Sequence, residues 1–260
     1  MKPVSYLIVV ASATLAISTK AVEIIVLTPK PIVPAATLEF MRSALGYGYK
    51  VEFLRGTDII LNLESALEDL GEIEGLIVLY CHGPGSLLNG GPHGIIAKFL
   101  KTQAKILFAA ERNFRANETL TSLYPDVGSR KKFLSSTGFM GFASDILDLL
   151  ASQTRSKKRD LHTFFSLAYL DPHLRQKFGI RLDTKSTIFH VLNNGIGELT
   201  LTMSGIAPVL KNEVEKNVPF VIQAYGSYLW ELHQLANFIP GAWDPETKQC
   251  VACRMGYFNH

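Results

Sequence analysis

The stretch Leu76–Pro92, LIVLYCHGPGSLLNGGP, decides the fold of this chain because an apolar strand there runs directly into a loop of glycines and prolines. The run 75–80 is short and apolar on both faces, which is typical of a central strand in a parallel sheet. In open α/β sheets, ligands bind beyond the carboxyl ends of the strands, so the loop 81–85 marks the predicted site. Its titratable side chains are Cys81 and His82. The loop therefore brings no carboxylate that could hold a hard cation.

Strands and helices alternate along the chain before this loop. Strands are predicted at 23–27 and 49–54, and helices at 37–44 and 62–70. In the first helix, the spacing predicts that Leu38, Met41 and Leu45 share one apolar side. This alternation predicts an α/β fold, with a mostly parallel, Rossmann-like sheet flanked by helices in a single domain.

The chain after the loop continues the same pattern. A buried strand at 105–109 ends in Ala110 and Glu111, and a carboxylate there is either a turn cap or a residue on the rim of the same crevice. In the segment 132–143, KFLSSTGFMGFA, Gly138 and Gly141 allow close backbone approach, either to a substrate or to a packing partner. Further helices are predicted at 94–100, 146–150, 161–169 and 228–236, and further strands at 186–192, 197–203 and 219–223.

Composition and charge exclude some function classes. The 260 residues are 47% hydrophobic and 19% charged, which is an ordinary globular mixture for one domain. A formal charge of +3 is too small to indicate a nucleic-acid partner. The basic runs at 130–132 and 155–159 are brief and are interpreted as solvated helix ends or loops.

The amino terminus is interpreted as a secretory signal peptide over residues 1–21. Its apolar segment, Val4–Ile17, follows Lys2 and is too short to span a membrane. The alternative is a first buried strand or helix, but a strand from Val22 follows immediately. The tripeptide that begins at Asn117, Asn-Glu-Thr, is a glycosylation acceptor and agrees with a secretory address. We therefore predict a chain of the endoplasmic reticulum lumen or secreted space, without a membrane span after processing.

Cys250 and Cys253 form a C-x-x-C pair near the end of the chain. Such a pair is a local disulfide, a redox pair or half of a zinc site. A disulfide is favoured in a secreted chain that lacks a second pair, and it leaves Cys81 as a free thiol.

Five motifs in this order resemble the amino-terminal glycosyltransferase domain of the multifunctional procollagen lysyl hydroxylases: YPDVG at 124–128, FLSSTGFMGFA at 133–143, YLDPHLR at 169–175, LDTKSTIF at 182–189 and NFIPGAW at 237–243. The resemblance covers Glu23 to Cys253, and the cysteine pair fits the junction with the next domain of that family. It implies a GT-A-like domain over 22–253, followed by a tail at 254–260. It also implies transfer of glucose or galactose from a UDP-sugar to hydroxylysine-linked acceptors on collagen, with manganese.

The resemblance also assigns the metal and donor site, residue by residue. The family places an Asp-x-x-Asp motif after the strand that is here 76–80, and this chain has His82 and Gly85 in those places. The aromatic residue that the family sets against uracil corresponds to Pro84. A third ligand, the histidine of a His-Gly-x-Gly turn, corresponds to Gln223. All three implied metal ligands therefore differ.

Other implied site positions are partly retained. Glu111 matches an acidic residue after its strand, and Asp160 matches one member of an acidic run that is otherwise basic or apolar here. Ser135 replaces an asparagine at the donor site, and Arg115 replaces a tryptophan that borders the acceptor cleft. The candidate catalytic residues are thus Glu111 and Asp160, and the candidate donor-binding residues are His82, Pro84, Gly85 and Ser135.

The substitutions lead to two main hypotheses. Without a divalent ion the diphosphate leaving group loses several kcal/mol of transition-state stabilisation. The first hypothesis is therefore a degenerate site without a cofactor, in a binding or scaffold protein whose partner is collagen or a family paralogue. The alternative is an active collagen galactosyl- or glucosyltransferase that uses a UDP-sugar and Mn²⁺ with an atypical site. A third interpretation is that the chain is part of a longer protein that continues into hydroxylase domains.

Overall fold

The computed structural model describes residues 22–31, 37–71, 73–113, 118–152, 160–205, 207–238, 243–244 and 249–250. The helices are α1 Leu38–Gly46, α2 Ile59–Leu70, α3 Pro92–Thr102, α4 Glu118–Thr121, α5 Ala143–Ser152, α6 Leu161–Leu170, α7 Pro172–Lys177 and α8 Leu229–Ala236. The strands are β1 Ile24–Pro29, β2 Lys50–Leu54, β3 Ile77–Cys81, β4 Ser86–Leu88, β5 Ile106–Glu111, β6 Phe133–Phe142, β7 Ile180–Asp183, β8 Phe189–Val191, β9 Leu199–Ser204, β10 Ala207–Asn212, β11 Val221–Gln223, β12 Trp243–Asp244 and β13 Gln249–Cys250.

The main sheet has six strands in the order β2-β1-β3-β6-β5-β7. The pairs β1·β2, β1·β3 and β5·β7 are parallel, whereas β6 runs antiparallel to both of its neighbours. The predicted α/β fold, with a mostly parallel central sheet and flanking helices, is therefore confirmed. A smaller sheet, β4-β11-β8, and the hairpin of β9 and β10 lie beside it.

Strand β3 is buried at every position, as its two apolar faces predict. Successive side chains of a strand point to opposite faces of the sheet. Accordingly, Val78 and Tyr80 belong to the hydrophobic cluster that includes residues of α2, α5 and α6, and Ile77 and Leu79 to the cluster that includes residues of α1 and α3. Each of these side chains contributes about 1.5–3 kcal/mol by burial. The sheet is thus covered on both faces.

Most of the segment 132–143 forms strand β6, Phe133–Phe142, which the sequence pattern did not predict as a strand. Phe139 of β6 lies at the centre of an aromatic cluster, with ring centroids 4.8 Å from Tyr80, 5.1 Å from Phe108 and 5.0 Å from Phe165. A Cβ on Gly141 would lie 2.7 Å from the backbone oxygen of Lys105. Gly141 therefore serves close packing between strands rather than the approach of a substrate.

Helix α1 has its predicted place, but of the three residues predicted to share its apolar side, Met41 packs against the core and the two leucines do not. Leu38 and Leu45 are 61% and 65% exposed, whereas Phe40, Ser43 and Ala44 are buried. The hydroxyl oxygen of Ser43 accepts a hydrogen bond of 3.0 Å from the backbone N–H of Leu88 in β4. The helix turns this small polar residue inward because a buried backbone donor requires a partner.

Several sequence predictions fall outside the described residues. They concern the signal peptide at 1–21, Arg115, the acceptor Asn117, the basic residues 157–159, Cys253 and the tail at 254–260. Among the described residues, none of the helices combines the length and the hydropathy that crossing a membrane requires.

Candidate functional site

The candidate site lies at the carboxyl edge of the main sheet, where β3 and β5 end. Strand β6 runs the opposite way between them, so its first residues reach the same edge: Cys81 of β3 pairs with Gly138, and Glu111 of β5 pairs with Phe133. Topology thus brings the turn after β3, the end of β5 and the start of β6 together.

A cavity of about 330 Å³ opens at this edge. Its lining is polar, with three hydroxyl residues from β6 and further side chains from the end of β5, the start of α6 and the turn after β11. The lining residues are Glu111, Ser135, Ser136, Thr137, Asp160, His162, Thr163 and Tyr225. The structure therefore brings together the predicted residues Glu111, Ser135 and Asp160, whose roles stay predictions.

Glu111 is the buried carboxylate of the cavity, with 3% of its surface exposed. It is the last residue of β5, and the hydroxyl of Tyr225 donates a hydrogen bond to its Oε2. A charge-assisted bond of this kind stabilises a carboxylate that burial would otherwise disfavour.

Asp160 is the exposed carboxylate of the same cavity and the N-cap of α6. Its Oδ1 accepts a bond of 2.9 Å from the backbone N–H of Thr163, and its Oδ2 accepts one of 2.7 Å from the Thr163 hydroxyl. Partial burial raises the pKa of the carboxyl, but the bonds from Thr163 and the charge of nearby His162 together lower that pKa below its ordinary value. Asp160 is therefore ionised at neutral pH.

The predicted donor residues His82, Pro84 and Gly85 form a tight turn beside the cavity and are not among its lining residues. The backbone N–H of His82 donates to the Thr137 oxygen at 2.9 Å. The turn is packed against the residue that follows β11, because a Cβ on Gly85 would lie 2.3 Å from the backbone oxygen of Ala224. No larger side chain fits at position 85 without a backbone shift.

Gln223, at the end of β11, meets this turn and uses its whole amide inside the protein. It is fully buried. Its Nε2 donates to the backbone oxygen of Thr137 at 2.7 Å and to the hydroxyl of Ser86 at 3.2 Å, and its Oε1 accepts from the hydroxyl of Thr137 at 3.4 Å. A Cβ on Gly138 would lie 2.5 Å from the same amide, so this glycine makes room for it. The structure thus places the turn 82–85 and Gln223 next to each other, and their assignment to a donor and metal site stays a prediction.

The residues at this place do not fit the manganese ion that the resemblance implies. A hard cation takes oxygen ligands, above all carboxylates. Position 82 offers one imidazole, position 85 offers no side chain, and the oxygen of Gln223 already accepts a hydrogen bond. Within the described part of the chain, no three His, Cys, Asp or Glu side chains group closely enough to hold a metal.

A buried ionic network centred on Glu198 lies next to the cavity. Lys131 Nζ lies 2.5 Å from Glu198 Oε2, Asn212 Nδ2 donates to the same oxygen at 2.9 Å, and Arg112 pairs with Oε1. Burial raises the pKa of the Glu198 carboxyl, but the bonds and charges of Lys131, Asn212 and Arg112 together lower that pKa below its ordinary value. Arg112 directly follows Glu111 and also donates to the Asn194 oxygen at 2.8 Å, so the network anchors the loop 192–195 beside the cavity.

His190 completes this network and is fully buried. Its Nδ1 lies 3.1 Å from Asn212 Nδ2, and its Nε2 lies 3.1 Å from the Gly195 oxygen. Burial, followed by the charge of Lys131, lowers the pKa of the imidazole to about 4. His190 is therefore neutral in the folded protein at ordinary pH.

Sequence reasoning missed the other residues that line the cavity. Ser136, Thr137, His162 and Thr163 are neighbours in sequence of predicted residues, and their proximity was the available signal. Tyr225 stands two residues after Gln223, but its role depends on a contact with Glu111 across more than a hundred residues, which no local pattern reveals.

Comparison with known proteins gives consistent matches over most of the chain. The family model for the PLOD GT domain matches residues 35–250. The chain is 31% identical over 224 residues to the multifunctional procollagen lysine hydroxylase and glycosyltransferase LH3 of Homo sapiens, with 80% of this chain and 30% of LH3 covered. It is 29% identical over 232 residues to procollagen-lysine,2-oxoglutarate 5-dioxygenase 1 of Gallus gallus, with 84% and 32% covered. The chain thus spans about a third of the length of these relatives.

A solved glycosyltransferase also aligns with the structure. It is an enzyme involved in the glycosylation of the major capsid of PBCV-1, and it is 8% identical to this chain with a TM-score of 0.48. The alignment covers 84% of this chain and 100% of that protein.

Proposed function

The chain belongs to the family of PLOD glycosyltransferase domains, and from this premise we propose that it is a secretory-pathway member whose metal-dependent donor chemistry has degenerated. In this proposal it acts as a binding or scaffold protein. Its partner is collagen or a paralogue of the same family, since relatives of this chain are named procollagen lysine hydroxylases.

The observation that carries the proposal is the internal bonding of Gln223. The resemblance gives this position a metal-ligating histidine, but here the side chain is a buried amide that bonds to Thr137 and Ser86. To contribute to a cation, the amide would have to give up these bonds, which costs about 1–3 kcal/mol for each buried group left without a partner. Gly85 supports the same conclusion, because a carboxylate does not fit there as the backbone stands.

The expected consequence is loss of UDP-sugar turnover. A metal ion stabilises the departing diphosphate by several kcal/mol, and about 1.4 kcal/mol corresponds to a tenfold change in rate. We therefore expect metal-dependent transfer to be at least about a thousandfold slower than in a relative with a complete site.

The retained cavity supports a binding role. It combines two carboxylates, a histidine and several hydroxyl groups, which together donate and accept hydrogen bonds in many directions. Such a lining suits a ligand rich in hydroxyl groups better than a doubly charged diphosphate, since both carboxylates repel anions.

Calorimetric titration of UDP, with and without Mn²⁺, tests the proposal. We expect no binding of UDP that Mn²⁺ strengthens, and no release of UDP from UDP-glucose or UDP-galactose that EDTA abolishes. Human LH3, assayed in parallel, is the positive control for the reagents. Micromolar UDP binding that requires Mn²⁺, or chelator-sensitive turnover, would contradict the proposal.

The second candidate function is an active transferase with an atypical site, and one observation favours it. Glu111 and Asp160 both line the cavity, so two of the carboxylates to which the resemblance assigns a role lie in one place. If the chain is active, Glu111→Gln should abolish sugar transfer to a galactosyl-hydroxylysine acceptor, whereas Asp126→Asn, an exposed acid outside the cavity, should leave it unchanged.

A further inference from the structure

Tyr225 reaches into the cavity from the smaller sheet. It lies in the turn after β11 and lines the cavity. Its hydroxyl donates a hydrogen bond to Glu111 Oε2 at the end of β5. The contact therefore joins the smaller sheet to the main sheet across the cavity.

Hydrogen bonds hold the backbone of Tyr225 and of the residue before it, so the position of the tyrosine ring relative to the cavity is restricted. The backbone N–H of Tyr225 donates to Asn193 Oδ1 at 3.2 Å, and Asn193 Nδ2 donates to the backbone oxygen of Tyr225 at 3.0 Å. The preceding residue, Ala224, donates its N–H to the Gly85 oxygen at 2.9 Å. The following residue, Gly226, has a φ of 60°, which turns the chain away from the cavity immediately after the ring.

We propose that Tyr225 is an intramolecular cap on Glu111, which competes with the hydroxyl group of any ligand for this buried carboxylate. The cap makes Tyr225 the residue that decides which ligands enter. A ligand that displaces the phenol must bring its own hydroxyl donor to Glu111, so neutral polyhydroxy compounds are the class that fits. This inference rests on the proposed function in one respect, namely that the cavity is a binding site.

The physical basis is competition between two donors for one buried acceptor. Removing a donor from a buried carboxylate is costly, so the phenol stabilises Glu111 whenever the cavity holds no ligand. The apparent dissociation constant of a ligand equals its intrinsic value divided by the fraction of protein that is open. If about a tenth of the molecules are open, removing the cap strengthens binding about tenfold.

The test compares the single-hydroxyl variants Tyr225→Phe and Tyr228→Phe. Tyr228 is the matched control, because this half-buried tyrosine follows three residues later but donates its hydroxyl hydrogen bond to Asn194 Oδ1 at 3.3 Å and is not among the lining residues of the cavity. The probes are D-glucose and D-galactose, and their binding is measured by ligand-observed NMR titration. We expect Tyr225→Phe to bind at least one of these sugars about tenfold more tightly than the unmodified chain, and Tyr228→Phe to bind it like the unmodified chain. Glu111→Gln in the Tyr225→Phe background should remove the gain.

Thermal unfolding of each variant distinguishes a role of Tyr225 in ligand binding from a purely structural role. A lower melting temperature of Tyr225→Phe without tighter sugar binding means that the contact only supports the fold, and it overturns the proposal. Absence of sugar binding in both the unmodified chain and Tyr225→Phe overturns it as well. The UDP and Mn²⁺ titration is independent of this comparison, so failure of the proposed function and failure of the cap give different results.

Discussion

At the scale of single residues, the positions that the family assigns to metal ligands hold residues that contact other parts of the protein. Gly85 presses against the Ala224 oxygen, and Gln223 bonds to Thr137 and Ser86. The sequence predicted that the family's metal ligands are replaced. It did not reveal that Gln223 bonds to Thr137 and Ser86 or that Gly85 packs against Ala224, because those contacts join segments that lie far apart in the chain.

Gly85→Ala should destabilise the protein, although it adds one methyl group. The new Cβ would lie 2.3 Å from a backbone oxygen, and overpacking of this kind costs about 1–3 kcal/mol. Urea unfolding measures the difference. Gly197→Ala is the matched control, because no atom lies within 4 Å of its added Cβ, and we expect a change below about 0.5 kcal/mol. Equal stability of the two variants would mean that position 85 is not tightly packed.

His190 should make the folded protein less stable in mild acid. Its pKa falls from 6.5 to about 4 on folding, so the neutral form is favoured in the folded state. The stabilisation is fully present above pH 6.5 and is lost as the pH falls toward 4, by an amount on the order of 3 kcal/mol. The free energy of unfolding at several pH values measures the slope. His190→Gln should flatten it, whereas the exposed control His173→Gln should not.

At the scale of elements, the sequence predicted most helices and strands but not every face or direction. Strand β3 was clear because its apolar run is short and continuous. Strand β6, which is ten residues long, was not predicted because serines and glycines interrupt the apolar pattern that is typical of a strand. The face of α1 was partly wrong because Ser43, a polar residue, turns inward to bond the Leu88 N–H. The periodicity of a single helix cannot predict a contact with a residue that lies far away in the sequence.

Lys131 should be the most important single residue of the network that joins the start of β6 to the residues around β9 and β10. Removing it by Lys131→Met takes the buried ammonium away from Glu198 and leaves the carboxylate with Arg112 and Asn212, which costs about 1.5–3 kcal/mol for the lost charged hydrogen bond. Chemical denaturation of both variants provides the measurement. The neighbour Lys132→Met is the control, because Lys132 is half-buried and lies over the Phe133 ring instead, so we expect a change of about 1 kcal/mol or less. A comparable loss in the two variants would remove the special role of Lys131.

At the scale of the whole molecule, the candidate site depends on topology. Glu111 and Asp160 were predicted separately, and no local sequence pattern measures the space between them. Their common cavity follows from the antiparallel course of β6, which places Ser135, Ser136 and Thr137 at the edge where β3 and β5 end. The fold class was therefore predictable from the sequence, but the composition of the cavity was not.

The position of β6 also has a consequence for synthesis. On the ribosome, β1, β2 and β3 emerge first and can pair with one another, but the other edge of β3 stays open until residues 133–142 have been made. An open edge of an apolar strand is a template for pairing with other chains. A nascent chain of this protein therefore passes through a period in which a strand that is buried at every position of the folded protein has an open edge, and the time that translation takes to reach Phe142 sets how long that period lasts.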